Sequence, residues 1–316
     1  MKVGVVGVGA VGSATVLSLV ERGGMCREIV VIDRNTARAD GVAADMRYAA
    51  PLSPTVDVRS GDYPDLADAA VVVITAGVNE KAGGATDRSD PEGRLRLLQT
   101  NAKVYADIVP QLVAAAPQAV LMVVTDPPDP LADLTRHIAG HDRVFSTGTL
   151  IDSLRFRVQV ADRLRVRPRD VQALVVGEHG TSEVLLWSSA TVGGLPVTDL
   201  LQHDGQSFDD VRTEVENDIR FANITIIEGT GASQYGIGAV SARLVEAVLR
   251  NERAVLPVAA YSPQYKTTLS LSSVLGAGGV QQMHQPSMTD EEQQALEHSA
   301  TVLRGAAEQA IAVGTA

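Results

Sequence analysis

Cysteine is almost missing from this chain: Cys26 is the single one in 316 residues. That excludes an internal disulfide framework and fits a reducing compartment, so the expected location is the cytoplasm. Aromatic residues are nearly as scarce, at 3%, which leaves Val, Leu, Ile and Ala to build the core. Dense Lys/Arg runs are also absent and the formal net charge is −11, so nucleic acid is not expected as a partner. No apolar run is long and uninterrupted enough to span a bilayer, and the N-terminus enters a strand pattern directly, without the features of a signal peptide; no membrane association is expected. Internal repeats and low-complexity linkers are lacking too. What remains is an ordinary soluble composition, 45% hydrophobic, in a chain long enough for two domains or one large one.

The most informative stretch lies at the start. The apolar run Met1 to Val6 breaks into Gly7-Val8-Gly9-Ala10-Val11-Gly12, and Asp33 closes the next apolar run, Ile29 to Ile32. A GxGxxG string alone is weak; between a strand pattern and a helix pattern, with an acid ending the second strand, it predicts a dinucleotide site. Gly7 permits a tight turn, Gly9 lets backbone approach a pyrophosphate, and Gly12 lets the helix pack close to the strand. The helix N-terminus offers unpaired N–H groups to the phosphates. Asp33 is expected to accept hydrogen bonds from ribose hydroxyls and repel a 2′-phosphate, which favours NAD over NADP, a preference softened by the adjacent Arg34. The bland alternative is a glycine turn inside an ordinary α/β unit.

Strand and helix patterns alternate through the first half. Val3–Val6, Ile29–Ile32, Val56–Ser60, Ala70–Thr75, Val120–Val124 and Val144–Ser146 read as strands; Ala10–Arg22, Arg38–Ala49, Leu95–Ala115 and Pro130–Ile138 read as helices. This alternation predicts a Rossmann-type, doubly wound parallel sheet over residues 1–148. From residue 149 to 316 the pattern changes and predicts an α+β domain packed on the carboxyl edge of that sheet. Its expected elements are a helix over Leu150–Leu164, a strand over Val171–Val176 and a hairpin turning at Gly193–Pro196. Helices over Val211–Glu228 and Gly238–Arg250 follow, then strands near Val255–Tyr261 and Thr268–Ser272. A final helix from Asp290 to Ala312 starts with a capping box of Thr289 and Glu292.

The glycine motif and Asp33 are followed, in order, by Thr75-Ala76-Gly77, by the string from Thr147 through Asp152 and Arg155 to Arg157, and by Gly177-Glu178-His179-Gly180. Together these resemble the lactate/malate dehydrogenase superfamily, of the L-lactate type. The resemblance covers nearly the whole chain, including Leu275-Gly276, Gly279 and Thr289–Arg304. It implies an oxidoreductase that uses NAD to interconvert an L-2-hydroxy acid and a 2-oxo acid, assembled as a homodimer or homotetramer, with no metal. By resemblance, His179 is the acid–base group, suited to gain and lose a proton near neutral pH. Asp152 orients its ring and favours imidazolium. Arg155 offers two parallel N–H donors to a substrate carboxylate, a geometry Lys cannot supply. The resemblance also places Gly7, Gly9, Val11, Gly12, Asp33, Gly77, Thr125 and Thr147 at the cofactor, and Ser233 near the substrate. Read without it, Asp152 and Arg155 could be a plain helix ion pair.

Three departures qualify the family reading. First, the loop from Val78 to Arg94 is about eight residues longer than usual, as in hydroxyisocaproate dehydrogenases, which accept larger side chains. It holds two candidate arginines; the family spacing of seven to a helix Asn selects Arg94, with Asn101, as catalytic and leaves Arg88 in the insertion. At the specificity position stands Glu80, which would repel a second substrate carboxylate by about 1–4 kcal/mol at 4 Å, so malate is disfavoured. The acids Glu80, Asp87, Asp90 and Glu92 would suit a polar or cationic substrate tail; otherwise the insertion is a solvated lid. Second, Thr125-Asp126-Pro127 replaces the usual Ser-Asn-Pro, and an ionised Asp126 cannot donate the hydrogen bond that the family Asn gives the substrate oxygen. Third, Arg157 matches the arginine that some bacterial members use for a sugar bisphosphate, but Gln172 stands where its histidine partner should be. Two alternatives stay open: the same hydride chemistry on a bulky or amino-bearing acid, and a catalytically silent NAD-binding sensor.

Overall fold

The computed structural model describes residues 1–52, 56–79, 81–82, 86 and 93–315, without the side chains of residues 93–95. The first half forms β1 (Lys2–Val6), α1 (Ala10–Arg22), β2 (Glu28–Ile32), α2 (Thr36–Ala49), β3 (Asp57–Ser60), β4 (Ala69–Ile74), α3 (Gly93–Ala115), β5 (Val120–Val123), α4 (Pro128–Ala139) and β6 (Val144–Ser146). These six strands lie parallel in the order β6-β5-β4-β1-β2-β3. That order reverses direction between β1 and β4, and doubly wound sheets bind ligands at such a switch point.

The strands are apolar on both faces because both faces are covered. Val3, Val5, Ile29, Val31, Val71 and Val73 point to one side, where helix residues Val16, Leu19 and Val245 meet them. Val30, Ile32, Val72 and Ile74 point to the other, against Leu98, Tyr105, Leu131 and Ala310. Alternation along each strand thus builds two cores from one sheet.

The second half forms α5 (Leu150–Leu164), β7 (Val171–Gln172), β8 (Val175–Val176), β9 (Val184–Leu185), β10 (Thr191–Val192), β11 (Leu195–Pro196), α6 (Val197–His203), α7 (Phe208–Arg220), α8 (Ala222–Thr230), α9 (Tyr235–Leu249), β12 (Ala254–Ser262), β13 (Thr267–Gly276), β14 (Gly279–His284) and α10 (Asp290–Gly314). It does more than pack on an edge of the first half. Antiparallel strands β12, β13 and β14 extend the same sheet beyond β6, giving nine strands. Helix α9 covers one face and α10 the other. Three of the eleven aromatics meet in a satellite core, where Trp187 lies edge-on to Phe156 at 4.6 Å and to Phe208 at 5.4 Å.

Three expected elements take a different form. The strand over Val171–Val176 is two short strands in separate sheets: β7 pairs with β10 and β8 with β9. The hairpin turn is only two residues, Gly193 and Gly194, both at positive φ, so Leu195 and Pro196 already belong to β11. The single helix over Val211–Glu228 is α7 and α8, broken at Phe221 (φ −109°, ψ 10°).

Candidate active site

The glycine loop sits where the strand order reverses. Gly7 adopts φ +90°, and a Cβ there would lie 2.5 Å from the Ala76 backbone, so β1 and β4 approach closely only with glycine. Gly9 caps α1 without a side-chain hydrogen bond, and the first turn of α1 holds no acid. A Cβ on Gly9 would meet nothing within 4 Å. Open space therefore faces the free N–H groups of a helix, which fits a diphosphate. Asp33 accepts the N–H groups of Val8 at 3.0 Å and Asn35 at 2.9 Å, with Arg38 Nη1 3.6 Å away. The acid thus ties the end of β2 to the glycine loop.

One cleft runs from this loop to the histidine. Gly9, Val11 and Arg38 line one end; Gly77, Thr125, Asp126 and Thr147 line the middle; Arg155, His179, Asn223 and Ser233 line the other. Nine of the fifteen expected site residues therefore line one cleft, and Asp33, just after β2, is not among them. Gly7 and Gly12 stand behind the wall they shape, and Asp152 stands behind His179. Glu80 lies outside the described residues, as does the side chain of Arg94.

At the histidine end, His179 Nδ1 is 2.5 Å from Asp152 Oδ2, and Arg155 Nη1 donates to Asp152 Oδ1 at 2.9 Å. Asp152 and Arg155 are one helical turn apart on α5, so a single carboxylate braces both groups. Asp152 is 1% exposed. Burial pushes its pKa up, but His179 and then Arg155 outweigh this and hold the carboxyl below its usual range. The loop carrying His179 is pinned at several points. Gly177 pairs through its backbone with Ser270 of β13, and Ser299 of α10 accepts the Glu178 N–H at 2.8 Å. Gly177 has φ +83°, and a Cβ there would press on Ser299.

Sequence reasoning missed or undervalued several neighbours. Asn101, used only to fix the position of Arg94, is fully buried and accepts the Val78 N–H at 2.7 Å while donating to the Asp126 carbonyl at 2.8 Å. It joins two segments of the cleft wall, and a lone Asn in an apolar helix pattern was its signal. Arg38 and Asn223 line the cleft with no motif to mark them. Asp129, in the first turn of α4, accepts the His179 backbone N–H at 2.8 Å and the Ser146 hydroxyl at 2.6 Å. Glu183 is 7% exposed; burial, and next the charge of Asp152, push its pKa well up. Arg157 lines a separate cleft with Gln172, where its Nε donates to the Ala173 carbonyl at 3.2 Å.

Comparison with known proteins agrees with this geometry. The NAD binding domain model of lactate/malate dehydrogenase matches residues 1–146, and the alpha/beta C-terminal domain model matches 149–313. An L-lactate dehydrogenase of Deinococcus radiodurans is 47% identical over 306 residues, covering 96% of this chain and 98% of the relative. One from Thermus aquaticus is 44% identical over 314 residues, covering 97% and 98%. The solved minor L-lactate dehydrogenase from Enterococcus mundtii, in its ligands-bound form, superposes with a TM-score of 0.89 at 34% identity, covering 97% of each chain. With both halves matched and the histidine dyad facing a dinucleotide cleft, the chain belongs to the lactate/malate dehydrogenase family.

Proposed function

We propose that this enzyme reduces a monocarboxylic 2-oxo acid to the L-2-hydroxy acid and runs the reverse reaction, with pyruvate and lactate as the leading pair and malate disfavoured. The observation that carries this reading is the shared brace: Asp152 holds both His179 and Arg155 at one end of the cleft that begins at Gly9. Bound NADH supplies the hydride. Arg155 takes the substrate carboxylate through paired N–H donors. His179, oriented by Asp152, donates a proton to the oxygen at C2 and takes it back in oxidation. Arg94 polarises that C–O bond and helps exclude water. Asp126, Ser233 and Glu80 shape selection among acids. Gly7, Gly9, Val11, Gly12, Asp33, Gly77, Thr125 and Thr147 hold the cofactor, so residues 1–148 bind the dinucleotide and also bring Glu80, Arg94 and Asp126 to the substrate, while 149–316 form the substrate-binding catalytic domain with Asp152, Arg155, His179 and Ser233. A homodimer or homotetramer in the cytoplasm is the proposed assembly.

The test is NADH oxidation by the purified protein over a panel of 2-oxo acids, with His179→Ala as control. Turnover with pyruvate or a larger monocarboxylic acid above that with oxaloacetate, and a loss of about 10²–10⁴ in the control, is the expected result. A preference for oxaloacetate would sink it. Asp126 and Glu80 favour one second reading, the same hydride chemistry on a bulky or amino-bearing acid, which bulky and amino-bearing members of the panel address.

A further inference from the structure

We propose that Asp129 is a positioning residue: from the first turn of α4 its carboxylate grips the main chain of His179 and fixes the imidazole relative to the cleft wall at Thr125 and Asp126.

Asp129 is 1% exposed, and a carboxylate buried that deeply is costly unless its oxygens are engaged. Both are. Oδ2 accepts the His179 N–H at 2.8 Å and Oδ1 accepts the Ser146 hydroxyl at 2.6 Å. Helix capping does not account for it, since α4 is capped at Pro127 with no side-chain hydrogen bond. The donors come from two other elements, β6 and the loop after β8. His179 is thereby held twice, by Asp152 through its ring and by Asp129 through its backbone. Asp126 and Asp129 lie three residues apart, so a shift of this segment would move the cleft wall and the histidine together.

The grip carries a pH signature. Burial pushes the Asp129 carboxyl up to about 6, against the pull of the Ser146 and His179 hydrogen bonds and of the His179 charge. Glu178, next to His179, pushes in the same direction as burial. Asp152 stands behind the imidazole, and Asp133, one turn along α4, is spent on Thr267 and Thr268. A proton taken by Asp129 removes acceptor capacity, so the grip loosens as pH falls through about 6.

The test compares wild type, Asp129→Asn and Ser146→Ala in two readouts. The first is the pH profile of kcat for pyruvate reduction. Wild type should lose rate below about pH 6. Asp129→Asn should lower kcat by about tenfold to 100-fold while leaving NADH binding nearly unchanged, and should abolish the acid limb. Ser146→Ala removes a donor to the carboxylate, so the limb should move to higher pH by about half a unit or more. The second readout is the His179 backbone amide in NMR, whose shift should titrate in wild type with the midpoint of the acid limb and stop doing so in Asp129→Asn. An amide that does not titrate, an acid limb indifferent to both substitutions, or a kcat unchanged in Asp129→Asn would overturn the assignment. If Asp129→Asn does not fold, Ser146→Ala decides. The inference rests on the dehydrogenase reading. A wild type silent on every acid would fail that reading, and the amide titration would still judge the grip.

Discussion

Asp152 and Asp129 hold one histidine and have opposite effects on stability as pH changes. The Asp152 pKa is depressed, so its contribution is present above the unfolded carboxylate value and is lost as pH falls through its folded value. The Asp129 pKa is raised to about 6. The folded state then binds the proton more tightly than the unfolded chain, and stability declines as pH climbs from about 4 to about 6. Asp129→Asn should therefore gain stability relative to wild type between pH 5 and pH 8, by about 1.4 kcal/mol. Thermal melts at both pH values check this, and a constant difference would contradict it. Asp126 makes a second residue-level prediction: Asp126→Asn restores a donor and should raise turnover on pyruvate by about tenfold, or about 1.4 kcal/mol of barrier. No change in steady-state rate would place that side chain outside the reaction path. His179, Asp152 and Arg155 were legible because their residue types sit in specific strings. Asp129 was not, because its partner is 50 positions away and only the fold brings them together.

At the scale of elements, the glycine loop and the capped helices were readable from local rules. The capping box of Thr289 and Glu292 starts α10 as expected, but Glu292 also accepts the N–H and hydroxyl of Ser188 at 3.0 and 2.5 Å. Glu292→Ala should accordingly cost about 2–4 kcal/mol, where Thr289→Ala costs about 1. Equal losses in denaturant unfolding would mean that the cross-link to Ser188 adds nothing. Gly12 is stricter still, because a Cβ would overlap the Gly7 carbonyl oxygen; Gly12→Ala should abolish NADH binding in a fluorescence titration. The break between α7 and α8 has no Gly or Pro to mark it; its one signal is the five-residue step from Ile219 to Ile224, which leaves the i,i+4 stripe of Val211, Val215 and Ile219. The turn at Phe221 lets α7 face the Trp187 core while α8 begins beside the cleft with Asn223.

For the whole molecule, strand alternation made the parallel sheet legible, since a buried parallel strand has a local signature. The three added strands have none that tells where they pair, so the second half looked like a separate body. Instead β12 joins β6, and Ala310 of α10 lies in the same core as Leu131 and Tyr105. The two family segments should therefore unfold together, as one calorimetric transition whose van't Hoff and calorimetric enthalpies agree. Two resolved transitions would show that the shared sheet does not couple them.

Helix α10 has a consequence for how the protein is made. It covers α3 and α4, yet its residues leave the ribosome only after the whole second half has been translated. Until then Leu131, Leu134 and their neighbours on that face of the sheet lack their cover. The nascent nucleotide-binding half therefore spends most of its synthesis with an apolar surface open to chaperones, and it is completed only when the final helix closes over it.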